Sequence, residues 1–314
     1  MTLLVRDAGL ILRDNLEFHL EQGADFFIIT DNLSSDGTAS IIDEYVRRGV
    51  AESIFEPSDD YSQGRWVTRM ARRAAELGAD WIINSDDDEF WFSPQGSLRE
   101  TLAGKPVGCQ ALSVERRNHP PVADMEGRWF ADVMRYRERR SHNSLGDPLP
   151  PKVCHRGFAD VEVMQGNHAV SRAGALIAAD HCASIEIAHY PIRDYASFEN
   201  KIAKGGAAYE RNTELSPGMG ATWRYLYNLW RAGTLRAWFD QQLLTPERIA
   251  EGLANGGLTE DLTVPNTLRR RSLQRCKNGE SSPRATSIIF PDCFNSISPC
   301  NPTGRSRLPA SISA

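Results

Sequence analysis

Apolar runs and amphipathic stretches alternate through the first hundred residues of this chain. Leu3 to Val5 is a short apolar run, and from Leu10 to Leu20 the residues Ile11, Leu12, Leu16 and Leu20 recur at helical spacing. Phe26 to Thr30, rich in aromatic and β-branched residues, reads as a buried strand. Asp36-Gly37-Thr38, with Asp36 as the expected N-cap, opens a second amphipathic stretch, Ala39 to Arg48. Ser53 to Phe55, Ser62 to Leu77 and Trp81 to Asn84 continue the series as strand, helix and strand. This rhythm predicts an α/β fold with a mostly parallel, Rossmann-like sheet flanked by helices. Ligands on such sheets lie beyond the carboxyl ends of the strands. Three polar clusters, Arg6-Asp7, Asp31-Asn32 and Asp86-Asp87-Asp88-Glu89, each follow an apolar strand and are expected along one edge.

Beyond Ser97 the pattern loosens. Cys109 to Val114, Val161 to Met164 and Ser184 to His189 read as strands, and Glu115 to Pro151, rich in Arg, His and Pro, as mainly loop. Tyr195 to Tyr209 reads as a helix. Trp223 to Leu244 carries Trp223, Leu226, Leu229 and Trp230 at helical spacing, a stripe expected to pack. Thr245-Pro246-Glu247 has the order of an N-cap followed by Pro at the first helical position. The expected organisation is a domain over residues 1–212 in two halves that divide at about 105. A helical extension over 213–276 follows. Residues 277–314, dominated by Ser, Pro, Asn and Arg without periodicity, are expected to be a disordered tail.

Composition narrows the class. Of 314 residues 41% are hydrophobic, and 36 basic against 41 acidic residues leave a formal charge of -5, with no basic excess of the kind that nucleic acid selects. No run of 18 apolar residues suggests a spanning helix, which leaves peripheral membrane contact open, and no signal peptide is expected at the start. Six scattered cysteines form no Cys-x-x-Cys pair, so reduced thiols in a cytoplasmic protein are the expectation.

The densest chemical signal is the acidic tetrad. Carboxylates this close repel, each raising the other's pKa, and a hard divalent cation, Mg²⁺ or Mn²⁺, is the natural offset. An acidic surface turn is the competing reading. Asp31-Asn32-Leu33-Ser34-Ser35-Asp36-Gly37-Thr38 joins a strand end to a helix start through short polar residues that suit a ribose, a base edge or a phosphate, or simply cap a helix. His189, at a strand end, can complete an acidic metal site or be a structural histidine. Lys201 and the neighbouring Gly205-Gly206 suit a diphosphate.

Leu4-Val5-Arg6-Asp7, Asn15-Leu16-Glu17-Phe18-His19, Asp31-Asn32-x-Ser34-x-Asp36-Gly37-Thr38 and Asp86-x-Asp88-Glu89-Phe90-Trp91 together resemble the family 2-type glycosyltransferases, in the bacterial branch related to family 92 domains. Lys152-x-x-His155-Arg156, Gly166-Asn167-His168 and His189-Tyr190-Pro191 extend the resemblance over roughly residues 3 to 210. One departure is Ala8, where the branch usually has Glu. The resemblance implies a GT-A fold that takes a nucleotide-diphosphate sugar in the half to about 105 and a glycan or other hydroxyl acceptor in the half after it, with inversion at the anomeric carbon. It implies that Asp86 and Asp88 form the metal motif, closed by His189. It implies that Arg6, Asp7, Asp31, Asn32 and Asp36 line the nucleotide pocket, and it sets Asp60, Arg65 and Arg69 near the donor diphosphate. Asp160, Glu162 and His168 lie in the right part of the chain for the base. A non-catalytic nucleotide-sugar- or glycan-binding module and a nucleotidyltransferase are the rival readings. The second lacks its Gly-rich phosphate loop after the first strand, where Arg6-Asp7-Ala8-Gly9 stands.

Overall fold

The computed structural model describes residues 1–125, 127–216 and 218–277; all but Lys277 of the expected tail lies outside them. In chain order the first elements are β1 (Thr2–Val5), α1 (Leu12–Glu21), β2 (Phe27–Asp31), α2 (Thr38–Arg47), β3 (Ala51–Phe55), α3 (Gln63–Glu76), β4 (Trp81–Asp86), β5 (Glu89–Phe92) and α4 (Leu98–Ala103). Then come β6 (Ala111–Val114), β7 (Arg116–Asn118), α5 (Phe130–Val133), β8 (Tyr136–Glu138), β9 (Lys152–Arg156), β10 (Val161–Val163), β11 (Val170–Arg172), β12 (Ala175–Leu176), β13 (Asp180–His181) and β14 (Glu186–His189). The rest is mainly helical: α6 (Tyr195–Arg211), α7 (Ala221–Arg231), α8 (Leu235–Gln242), α9 (Pro246–Ala254), β15 (Leu258–Glu260) and α10 (Thr263–Lys277). Residues Met1–Arg271 form one compact unit.

The expected α/β architecture is present. The main sheet has seven strands in the order β13-β6-β9-β4-β1-β2-β3, and β4, β1, β2 and β3 are mutually parallel. Alternation along β2 explains the two covered faces. Phe27 and Ile29 join Leu3, Val5, Leu12 and Leu16 in one core, whereas Ile28 packs on the other face with Val67, Met70 and Ala71 of α3. The sequence rhythm did not anticipate β9, which enters antiparallel between β4 and β6. A buried polar chain crosses this junction. Thr2 Oγ1 donates to Asn84 Oδ1 at 2.7 Å, and Asn84 Nδ2 donates to His155 Nε2 at 3.0 Å, while His155 Nδ1 donates to its neighbour's carbonyl. Burial pushes His155 down to about 4, which keeps the ring neutral for this role.

A second sheet, β5-β14-β7, sits at the strand ends. Its register sets His189 opposite both Glu89 and Asn118. Within the segment expected to be loop, β7, α5 and β8 are short elements. The long stretch expected from Trp223 to Leu244 is two helices, because Gly233 adopts φ +70° and turns the chain between them. The expected packing role holds for three residues of the stripe: Leu226 lies in a cluster with Phe198, Ile202, Leu235 and Phe239, with Trp223 and Leu229 against it, whereas Trp230 is exposed and stacks on Tyr227. Asp36 stands one residue before the cap of α2, which is Gly37. Its carboxylate accepts from Thr38 N and Gly9 N, both at 2.9 Å. Thr245 caps α9 as expected, accepting from Arg248 N.

Candidate functional site

A cavity of about 700 Å³ opens beyond the ends of β1 and β4. It is lined by Arg6, Asp7, Asn32, Asp86, Asp87 and Asp88, by His189, Arg193 and Lys201, and by Trp223 and Trp238 of the helical part. The acidic tetrad straddles a tight turn. Asp86 ends β4, Glu89 starts β5, and Asp87-Asp88 form the turn between them. Helix α1 holds that turn from beneath. Asn15 Nδ2 donates to the carbonyls of Asp87 (3.0 Å) and Glu89 (2.8 Å), and His19 Nε2 accepts from Trp91 N at 3.0 Å.

The tetrad is offset by the protein's own cations. Lys152, 1% exposed, lies 2.6 Å from Asp86 Oδ2 and 3.2 Å from Glu89 Oε1. Arg116 is 3.2 Å from the same Glu89 oxygen. Lys201 Nζ donates to Asp88 Oδ2 at 2.5 Å. Burial alone would raise all four carboxyls. For Asp88 the ammonium of Lys201, with Arg193 beyond it, outweighs burial and holds the group well below the usual carboxylate range; Lys152 lowers Asp86. Burial and Asp88 push Asp87 up to about 6, and burial also raises Glu89. The sequence expectation that the tetrad needs an outside cation for balance is therefore corrected.

His189 Nδ1 donates to Asn118 Oδ1 at 2.8 Å, an orientation set by Asn118 Nδ2 donating to His142 O. This leaves Nε2 as an acceptor, 3.6 Å from Asp88 Oδ1. Burial pushes His189 down to about 3, so the ring is neutral near pH 7. Two acceptors thus face each other across a gap on the cavity wall. An imidazole whose other nitrogen is anchored, beside one carboxylate, fits a divalent cation that takes its remaining ligands from water and phosphate. Asp86 is not part of that pair: Lys152, Gln63 and Asn167 take its oxygens. Accordingly, no group of three or more His, Cys, Asp or Glu side chains among the described residues is placed to hold a metal.

The other expected donor residues divide. Arg6, Asp7, Asn32 and Lys201 line the cavity. Asp7, with φ 53°, accepts from Ser35 N at 2.7 Å and Asn200 Nδ2 at 2.9 Å and pairs with Lys204, which tie β1 to α6; although burial opposes it, these partners bring Asp7 down to about 2. Asp31, Asp36, Asp60, Arg65 and Arg69 do not line it. Asp31 accepts from Ser34 N, Asp60 from Ser62 N at the start of α3, and Arg69 pairs with Glu56 at 3.0 Å. Arg65 is exposed on α3. The acid that meets Arg6 is Asp59, at 2.6 Å.

Among the base candidates, Asp160 pairs with Arg172 and Glu162 lies beside Arg72, both away from the cavity lining. His168 does line it, with Nδ1 donating to Pro151 O at 2.8 Å and Nε2 left as an acceptor. Burial, then Lys152, brings it down to about 4. Gly205 and Gly206 have a different task from the expected diphosphate contact. A Cβ on Gly205 would lie 2.4 Å from the Trp223 ring, and one on Gly206 2.3 Å from Tyr227, so these glycines let α7 dock on α6.

Lys152 stood in the sequence only as part of the resemblance and Arg193 only as a neighbour of His189, and neither had a role; Arg116 and Asn118 carry no signal, because only the register of β5-β14-β7 brings them to the site.

No protein-family model matches the chain, neither the expected family 2 type nor its branch related to family 92, and no curated protein matches it in sequence. Among solved structures it is similar to S. aureus TarS 1-349, at 10% identity and TM-score 0.38 over 89% of this chain and 91% of that one. The same fragment in complex with UDP-GlcNAc aligns at 11% identity and TM-score 0.39 over 89% and 91%. A further S. aureus TarS structure aligns at 10% identity and TM-score 0.36 over 74% of this chain and 42% of that one. A likeness this distant leaves the chemistry to be argued from the site itself.

Proposed function

We propose that this protein is a glycosyltransferase of GT-A type that moves a sugar from a nucleotide-diphosphate sugar to a glycan or other hydroxyl acceptor. The observation that carries the reading is the facing pair Asp88 Oδ1 and His189 Nε2, 3.6 Å apart on the wall of a cavity at the carboxyl ends of β1 and β4. Asp88 and His189 would hold Mn²⁺ or Mg²⁺, which supplies Lewis-acid neutralisation of the leaving diphosphate. Lys201 and Arg193 present further positive charge for phosphate oxygens. Arg6, Asp7 and Asn32 line the end of the cavity at β1 and β2, where a nucleotide's base and ribose fit the strand-end rule.

In the transfer, the acceptor oxygen bonds to the anomeric carbon as the bond from that carbon to the phosphate oxygen breaks, with inversion. His168 Nε2 takes the acceptor proton. Its Nδ1–H, held by Pro151 O, fixes the tautomer that leaves Nε2 free. Burial, then Lys152 and Arg116, lower its basicity, and an anionic donor beside the two cations offsets their share of that effect.

The test is Asp88→Asn and His189→Ala, read by Mn²⁺-dependent binding and hydrolysis across a panel of nucleotide-sugars. Each substitution is expected to lower turnover by roughly 10²-fold or more with the fold intact. Wild-type behaviour in both variants would end the proposal. Donor binding without transfer to any hydroxyl acceptor would favour a binding module instead.

A further inference from the structure

Asp88 is 2% exposed and has two neighbours for its two oxygens, Lys201 on Oδ2 and His189 facing Oδ1. Lys201 is itself held in place: its ammonium lies 5.9 Å from the centre of the Trp223 ring. Around the turn, four carboxylates (Asp86, Asp87, Asp88, Glu89) stand against four cations (Lys152, Arg116, Lys201, Arg193). A divalent cation arriving alone therefore meets a set that is already balanced, and it must share its one carboxylate with an ammonium. A diphosphate arriving alone brings negative charge toward Asp87 and Asp88. Arriving together, the two nearly cancel, and the ammonium gains phosphate oxygens as alternative partners.

We propose that Lys201 is a resident counterion: it weakens the hold of Asp88 and His189 on a free divalent cation, so that metal and diphosphate are taken up as one unit. This rests on the reading that Asp88 and His189 hold the cation of a nucleotide-sugar enzyme. It goes further by assigning Lys201 two opposed effects, against the metal alone and for the metal with its diphosphate. A lysine that only contacted phosphate would leave the affinity for free metal unchanged.

Calorimetric titration of the full chain separates these cases, with Mn²⁺ alone and with a preformed Mn²⁺–pyrophosphate complex as probes. The wild type is expected to bind the complex at least roughly tenfold more tightly than Mn²⁺ alone. Lys201→Met is expected to bind Mn²⁺ alone roughly tenfold more tightly than the wild type and the complex more weakly, because one like charge is gone from beside the shared carboxylate. Lys201→Arg keeps the charge and is expected to follow the wild type. If Lys201→Met binds Mn²⁺ alone no more tightly than the wild type, while Asp88→Asn loses it, the counterion role is overturned and the metal site stands. If Asp88→Asn binds Mn²⁺ as the wild type does, or no form binds it with or without pyrophosphate, both fall.

Discussion

The two outer acids of the tetrad and the two inner ones live in different surroundings, although they are adjacent in sequence. Asp86 and Glu89 occupy strand ends and share Lys152, which is 1% exposed, with Arg116 adding a second charge to a Glu89 that is fully buried. Asp87 and Asp88 occupy the turn, line the cavity and meet groups from α6 and β14. Glu89 and Lys152 form a buried ionic anchor that Asp86 joins from the cavity wall, and the inner pair is left for a ligand. Backbone geometry makes the division, because the turn reverses the chain between residues 86 and 89 and Asn15 pins the carbonyls of Asp87 and Glu89.

Separate perturbations can break this contrast. The largest effect on stability is expected from Lys152→Met, which leaves Asp86 and Glu89 without their shared cation; a loss of about 3–5 kcal/mol in denaturant unfolding is expected. Pairing it with Glu89→Gln should recover part of that loss, and no recovery would show that the outer acids are not coupled through the lysine. Asn15→Ala is expected to cost about 1–3 kcal/mol, since the carbonyls of Asp87 and Glu89 lose the amide that bridges them. It should also weaken Mn²⁺-dependent donor binding, because the turn is freed; a stability loss with binding untouched would confine Asn15 to the scaffold.

The smallest effect is a pH dependence from Asp87. Its carboxyl stands at about 6 in the folded protein against an ordinary 3.8, so the folded state takes up the proton first as pH falls. This contribution is fully present below the ordinary value and is lost as pH rises through about 6. Between pH 7.5 and 5 the wild type is expected to gain about 1 kcal/mol relative to Asp87→Asn, allowing for the partial exposure of the group. Parallel stability curves for the two proteins would remove the electrostatic difference between Asp87 and Asp88.

Much of the fold was legible along the chain. The four parallel strands and their helices follow from local periodicity, and each polar cluster follows its strand because chain direction puts the carboxyl ends together. Asp88, Arg6, Asp7 and Asn32 meet at the cavity on that account, and β14 and α6 bring His189 and Lys201 to it. Asp31, Asp36 and Asp60 share the same chemistry and the same neighbourhood in sequence, yet they hold backbone amides in the turns before helices, and Arg69 pairs with Glu56. Residue type and order do not distinguish a carboxylate that caps a helix from one that faces a ligand.

By itself the sequence determined the alternation of strands and helices, the sheet edge that carries the chemistry, and the acidic turn bracketed by apolar segments. Each of these depends on side-chain periodicity over a few residues. The tertiary structure alone decided that Lys152 is buried between Asp86 and Glu89, that Asn118 orients His189, and that Gly205 and Gly206 admit α7. These depend on strand register and helix docking between segments far apart in sequence, where a shift of one residue would send a side chain to the opposite face.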